Sequence, residues 1–354
     1  MEPPIYDGRI HPNEYIKKMR TYCNFRQIKN EKEILKFAIM NIDSTIDIPK
    51  NITSFDVLVN VLKGHISFNI FKNSCKRKLE VLKYVTEREG GDTANFVTEF
   101  RKLCHDAEIT DLVEQKKCLF NAVPYNLLKN NFTGEQRNVT SMNELVKVFE
   151  ESVLEYSRII RNGSIVALRH IATGKYLSAR KYPRNSTKSD VIGTSIGTSI
   201  GTIIGAIFSA LLDFHMVYCD DFGPNALWSI SSSTKSINSA INYGKPIQLR
   251  HEILSEFFYT DMNEKSPTSN HFRVYCDEKE RKNHWIIGNY HHQNNDDNVK
   301  SQDIITLQWK QSDVNKNILL RSHEFEDYQE VFAHDQRTGG NDQWCIELIG
   351  YRDT

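Results

Sequence analysis

The sequence predicts a multidomain chain in two unlike parts. An all-α helical bundle spans residues 1–160, and an all-β, closed threefold domain spans residues 161–354, with a long apolar insertion at about 188–213 in its first repeat. Three observations predict this. Apolar residues in the first part recur at helical spacing. A pattern of short strands recurs three times in the second part. The surplus length of the first repeat coincides with one uncharged run, residues 191–212, bracketed by Asp190 and Asp213. A chain of 354 residues is ordinarily divided into about two domains.

The helical part rests on periodicity. Phe96, Phe100, Leu103 and Ala107 follow i, i+4, i+7, i+11, one face of a helix, with Thr93 as its N-cap after Gly90-Gly91. Leu145, Phe149, Ser152 and Tyr156 line a second such face. Further helices are predicted over Asn13–Asn24, Glu31–Met40, Ser54–Gly64, Ile70–Glu87 and Val113–Asn121. Short polar turns between them imply antiparallel packing.

The β part rests on an echo. A first element, Leu-x-His or Leu-x-Trp, appears at Leu168/His170, Leu249/His251 and Leu307/Trp309. A second, a β-branched and an aromatic residue followed closely by Asp, appears at Val217-Tyr218…Asp220, Val274-Tyr275…Asp277 and Val331-Phe332…Asp335. A third, Trp-x-Ile, appears at Trp228, Trp285 and Trp344. The tryptophans are 57 and 59 residues apart. His170 to His251 is 81 residues but His251 to Trp309 is 58, so the first repeat is longer by about the length of the uncharged run. One such repeat cannot bury its apolar face alone, whereas three close a common core. The repeated residues are therefore read as fold residues.

The stretch Gly163–Ser178 (GSIVALRHIATGKYLS), followed by Val217-Tyr-Cys-Asp-Asp221 and Ala226-Leu-Trp-Ser-Ile230, resembles a MIR domain. This family is shared by protein O-mannosyltransferases, inositol trisphosphate and ryanodine receptors and stromal cell-derived factor-like proteins. The resemblance implies a β-trefoil that binds or regulates and carries no catalysis of its own. It is strongest in the first repeat. In the second, Ser255–Tyr259 (SEFFY) replaces Thr-Gly-Lys-Tyr-Leu. In the first half, Tyr6-Asp-Gly8…Pro12…Tyr15-Ile16, Asp92–Leu103 and Cys118–Pro124 resemble the capsid-like region of retrotransposon Gag polyproteins. That resemblance implies self-association through residues 1–160, giving a homo-oligomer. No cysteines have zinc-knuckle spacing, so nucleic acid is not an expected partner.

The uncharged run is long enough to cross a bilayer. Yet 10 of its 22 residues are Gly, Ser or Thr, its flanks are acidic, and one crossing would split the first repeat from its own barrel. It reads as an expanded hairpin loop, with an exposed patch docking on a partner or lipid as the functional alternative. No transmembrane segment is expected.

Charge is balanced. Residues 1–160 hold 24 basic and 22 acidic side chains and the remainder 21 and 23, so neither half has the basic excess of a phosphate binder. Seven scattered cysteines without a C-x-x-C pair, and a start without a signal-like apolar core, read as free thiols in the cytoplasm. Candidate chemistry is sparse. His291-His292 with Asp296-Asp297 reads as solvated loop, Cys104-His105-Asp106 as helix packing, and Lys72…Lys76-Arg77-Lys78, with Glu80 following, as a solvated helix face. No P-loop or nucleophile-elbow motif occurs. No enzyme activity, metal or cofactor is expected. The expected ligand is a protein or a glycan, held between repeats by Tyr176, Tyr182, Tyr259 or Tyr290, because aromatic rings offer flat surfaces.

Overall fold

The computed structural model describes residues 2–135, 138–181, 215–232, 239–266, 269–278, 284–289, 297–310, 318–325 and 328–352. The 188–213 insertion, Tyr182, Tyr290, His291, His292 and Asp296 lie outside the described residues. The chain divides into two compact units, Met1–Tyr156 and Ser157–Thr354. The backbone of residues 160–162 is tied into the second unit by Ile160 N–H to Val299 O (2.9 Å) and Asn162 N–H to Ser239 O (2.8 Å).

The first unit holds eight described α-helices: α1 Pro12–Phe25, α2 Glu31–Met40, α3 Phe55–Gly64, α4 Ile66–Val81, α5 Thr93–Asp106, α6 Leu112–Ala122, α7 Asn126–Glu135 and α8 Met142–Ser157. Most start on a side chain that accepts an otherwise orphaned backbone N–H. His11, Asn30, Ser54, His65, Asp92 and Asp111 do this for α1 to α6. The cap of α5 is thus Asp92, accepting from Asn95 N–H at 2.8 Å, and Thr93 is the first helical residue. Helix α4 differs from expectation at both ends. His65 starts it four residues early, and it stops at Val81 because Leu82 turns extended and Tyr84 N–H bonds Ala122 O at 2.8 Å. Gly91 then lets the chain turn tightly, since a Cβ there would lie 2.0 Å from Val85 O. Helix α7 was not foreseen; its stretch, NLLKNNFTGE, is polar with Gly134 inside.

Two separate apolar cores fill this unit. Tyr15, Met19, Leu35, Leu58 and Leu62 belong to the first, built on α1 to α3. Leu79, Phe96, Phe100, Leu119 and Phe149 belong to the second, built on α4 to α8.

The second unit is a β-trefoil. Its strands are β1 Ser164–His170, β2 Tyr176–Arg180, β3 His215–Asp220, β4 Trp228–Ser232, β5 Pro246–His251, β6 Phe257–Lys265, β7 Phe272–Asp277, β8 His284–Asn289, β9 Ile304–Lys310, β10 Ile318–Phe325, β11 Tyr328–His334 and β12 Trp344–Tyr351. Six strands close a barrel by antiparallel pairing in the order β1-β4-β5-β8-β9-β12 and back to β1. The other six form three hairpins, β2–β3, β6–β7 and β10–β11. Strands β3, β7 and β11 pair with one another and close a triangle.

The tryptophans occupy equivalent places in this figure. Trp228 stands opposite Val166, Trp285 opposite Ile247 and Trp344 opposite Ile305. Each indole N–H donates to a hairpin carbonyl of its own repeat: Trp228 to Leu177 O (2.8 Å), Trp285 to Phe258 O (3.1 Å) and Trp344 to Leu320 O (3.3 Å). Leu168, Leu249, Leu307, Val217, Val274 and Val331 fill the barrel core between them. His170 and His251 are fully buried against Trp344 and Trp228. Their Nε2–H groups donate to Asn341 O (3.0 Å) and Asn225 O (2.9 Å), carbonyls of two short 3-10 turns. Trp309 takes the same place in the third repeat, opposite Trp285. Among the described residues its Nε1 has no acceptor.

The third repeat departs from the echo by one residue. His334, not Asp335, stands in the place of Asp220 and Asp277, because Leu319↔His334 matches Tyr176↔Asp220 and Phe257↔Asp277. His334 donates to buried Asp342 at 2.9 Å, and Arg321 grips the same carboxylate at 2.7 and 3.0 Å. Burial pushes the Asp342 carboxyl up, but hydrogen bonds from His334, Arg321 and Gly339 outweigh it and hold the group down at about 2.

Two outcomes are expected. Trp228→Phe removes an indole donor and leaves a buried carbonyl unmatched, which costs about 1–3 kcal/mol in chemical denaturation of the trefoil. Asp342 is a carboxylate with a lowered folded value, so its contribution is present above about pH 4 and is lost as pH falls toward 2. Asp342→Asn is expected to cost about 3 kcal/mol and to flatten stability in that window, as measured by denaturation at several pH values.

Candidate functional site

The first repeat gathers a half-exposed aromatic and charged cluster at one end of its hairpin. Strand β2 opens at Tyr176, which pairs with Arg169 of β1 and with Asp220 of β3. The chain leaving β3 runs Asp220-Asp221-Phe222-Gly223. This brings the Phe222 ring to 5.1 Å from Tyr176 at 63°, with Phe222 54% exposed. Phe222 thus packs one side on Tyr176 and offers the rest of its ring to solvent.

Polar groups border the two rings. Glu347 of β12 accepts from Arg169 Nε at 2.8 Å on one oxygen and from the Tyr176 hydroxyl at 3.1 Å on the other. Lys175 Nζ meets Asp221 Oδ1 at 2.7 Å. Asp220 is exposed and caps Asp221 N–H at 2.9 Å. The bond to Glu347 raises Arg169 above its usual range, and burial followed by Glu347 raises Tyr176. Both groups therefore keep their protons at neutral pH. Two rings set at an angle, with guanidinium, ammonium and carboxylate groups at the rim, match a ligand that offers C–H faces and hydroxyl or amide edges.

The corresponding places elsewhere are filled differently. Phe257 and Leu319 replace Tyr176 in the second and third repeats, and Arg250 and Gln308 replace Arg169. Leu319 is buried, and Gln336 stands where Phe222 does. Ser231 and Gly288 take the place of Glu347.

Of the two described tyrosines among the four that the sequence offered, Tyr176 lies in this cluster and Tyr259 does not. Tyr259 is buried on β6, with Tyr275 at 5.4 Å and Trp309 at 6.4 Å. Tyr182 and Tyr290 lie outside the described residues. The twelve repeat residues Leu168, His170, Val217, Trp228, Leu249, His251, Val274, Trp285, Leu307, Trp309, Val331 and Trp344 are all buried. Phe222, Arg169, Lys175 and Glu347 were missed. Arg169 and Lys175 flank motif residues directly, whereas Glu347 arrives from the last strand, 171 residues after Tyr176.

In the first unit, burial pushes the Cys104 thiol up to about 12, so it is no nucleophile at neutral pH. The neighbouring His105 Nδ1 lies 3.0 Å from Asp106 Oδ1. Lys76, Arg77 and Lys78 are exposed, as a solvated helix face requires, and Lys72 is half-buried, its Nζ donating to Glu108 Oε2 at 2.8 Å. No group of three or more His, Cys, Asp or Glu side chains able to hold a metal occurs among the described residues. Among the same residues no helix is long and apolar enough to cross a membrane.

No family model matches this chain, and no curated protein does. Solved structures do. An SDF2-like protein from Arabidopsis thaliana is 16% identical over 55% of this chain and 99% of its own, with a TM-score of 0.38. A Caenorhabditis elegans protein of unknown function is 16% identical over 54% and 97%, also at 0.38. ThreeFoil, a designed 3-fold symmetric protein, is 14% identical over 52% and 99%, at 0.32. At such scores the likeness adds nothing to the strand pairings, which define the trefoil by themselves.

Proposed function

We propose that this chain is a non-enzymatic binding protein whose trefoil recognises a glycan or a protein through the Tyr176–Phe222 face, presented by a helical unit that associates with copies of itself. The exposed Phe222 ring, set against Tyr176 and rimmed by Arg169–Glu347 and Lys175–Asp221, carries this reading. The glycan form is favoured, because an exposed ring beside paired polar groups offers both stacking and hydroxyl contacts. The resemblance of Gly163–Ser178 to MIR modules, which bind or regulate without catalysis, supports it. All seven cysteines are free thiols, which supports a reducing compartment such as the cytoplasm.

A glycan array probed with the intact chain tests the sugar form. Binding to a defined sugar is expected, and Phe222→Ala or Tyr176→Ala is expected to weaken it about tenfold, about 1.4 kcal/mol, with the melting temperature little changed for Phe222→Ala. A flat array removes the sugar form. Unchanged affinity in both variants removes this face.

A second reading, a capsid-type assembler that carries the trefoil as a passenger, is favoured by the exposed Phe25, Met40, Ile66 and Ile70 on the helices. It predicts a sedimentation coefficient that rises with concentration. A strictly monomeric chain at high concentration contradicts it, and self-association with it.

A further inference from the structure

The two cores of the helical unit meet at a seam of ionisable side chains. His11, at the start of α1, is buried, and its ring lies 5.3 Å from Phe68 of α4 and 4.6 Å from His105 of α5. Its Nδ1 accepts Asn13 N–H at 3.2 Å, so Nε2 carries the proton and points toward Glu108 Oε1, 3.6 Å away. Glu108, in the turn after α5, takes Lys63 of α3 on one oxygen at 2.5 Å and Lys72 of α4 on the other at 2.8 Å. The segment leading into His11 is pressed onto α4, since a Cβ on Gly8 would lie 2.6 Å from the Cβ of Ser67.

These contacts bind the half built on α1 to α3 to the half built on α4 to α8. With both rings neutral, Lys63 and Lys72 are balanced by Glu108 and Asp106. A proton on His11 adds a cation facing Lys63 and His105, while Glu108 is already held by two ammonium groups. Asp106, hydrogen-bonded to His105, can balance one added charge. Two charged rings with centres 4.6 Å apart repel one another, and the buried His11 ring lacks the access to water that the exposed His105 ring has. Glu14 of α1 faces His105 across the seam and is itself held by Lys18, with Lys102 of α5 acting on it as well.

We propose that His11 and His105, with Glu108 clamped between Lys63 and Lys72, form a proton-operated latch that holds the two halves of the helical unit together at neutral pH and loosens them on acidification. Burial first, then His105 and Lys63, lower His11 below its usual value. The folded seam therefore takes up a proton less readily than the unfolded chain. Its contribution is complete above about pH 6.5 and declines as pH falls below that.

Hydrogen exchange of the intact chain, corrected for intrinsic rates, at about pH 7.5 and about pH 5.5 tests the latch. Amides of α1 and α3 are expected to gain about tenfold in exchange rate over those of α5 and α8 at the lower pH. His11→Asn keeps a cap but no ionisable ring and is expected to abolish most of that difference, and His105→Gln removes the outer ring and is expected to reduce it. Should His11→Asn fail to fold, His105→Gln still decides, because that ring is largely exposed. Uniform acceleration across all helices, or a difference undiminished in His105→Gln, overturns the latch.

Discussion

The trefoil depends on three indole hydrogen bonds. Each links the last barrel strand of a repeat to the hairpin of the same repeat, through Leu177, Phe258 and Leu320 carbonyls. A hairpin that leaves the barrel must present backbone carbonyls to the core, and a buried carbonyl without a donor is costly. Tryptophan answers both needs, since it fills volume and reaches with one N–H. His170 and His251 do related work at the barrel strands, each donating to a 3-10 carbonyl while its other nitrogen accepts from Thr173 or Leu254. Burial lowers His170 and keeps its ring neutral, as this dual role requires.

Threefold closure also explains where variety is tolerated. The barrel positions repeat because each faces the same core. The hairpin ends face water, and there the repeats diverge. The first carries Tyr176, Phe222 and the Arg169–Glu347 pair. The third spends the same corner on Arg321, His334 and buried Asp342. One corner is thus open for contact and another is locked internally.

The sequence made the threefold spacing and the helical faces legible, because both are periodic and set by local geometry. It misplaced what depends on neighbours distant in the chain. Helix α4 runs out at Val81 although apolar residues continue, since Tyr84 bonds the backbone of Ala122 instead. Asp335 looked like the partner of Asp220, and register shows that His334 is. Tyr259 looked available, but Tyr275 and Trp309 cover it. Lys72 looked solvated, but Glu108 holds it. Of the candidate face, only Tyr176 could be named beforehand. Glu347 comes from the closing strand, and Phe222 gains meaning only from the exposure that the loop gives it.

Exchange of the indole protons with solvent tests threefold closure most directly. If Trp228, Trp285 and Trp344 each lock one repeat of a single cooperative barrel, their Nε1–H signals disappear together, at the rate of global trefoil unfolding. Three unrelated rates, with one indole opening while the other two stay protected, would contradict a closed ring of equivalent repeats.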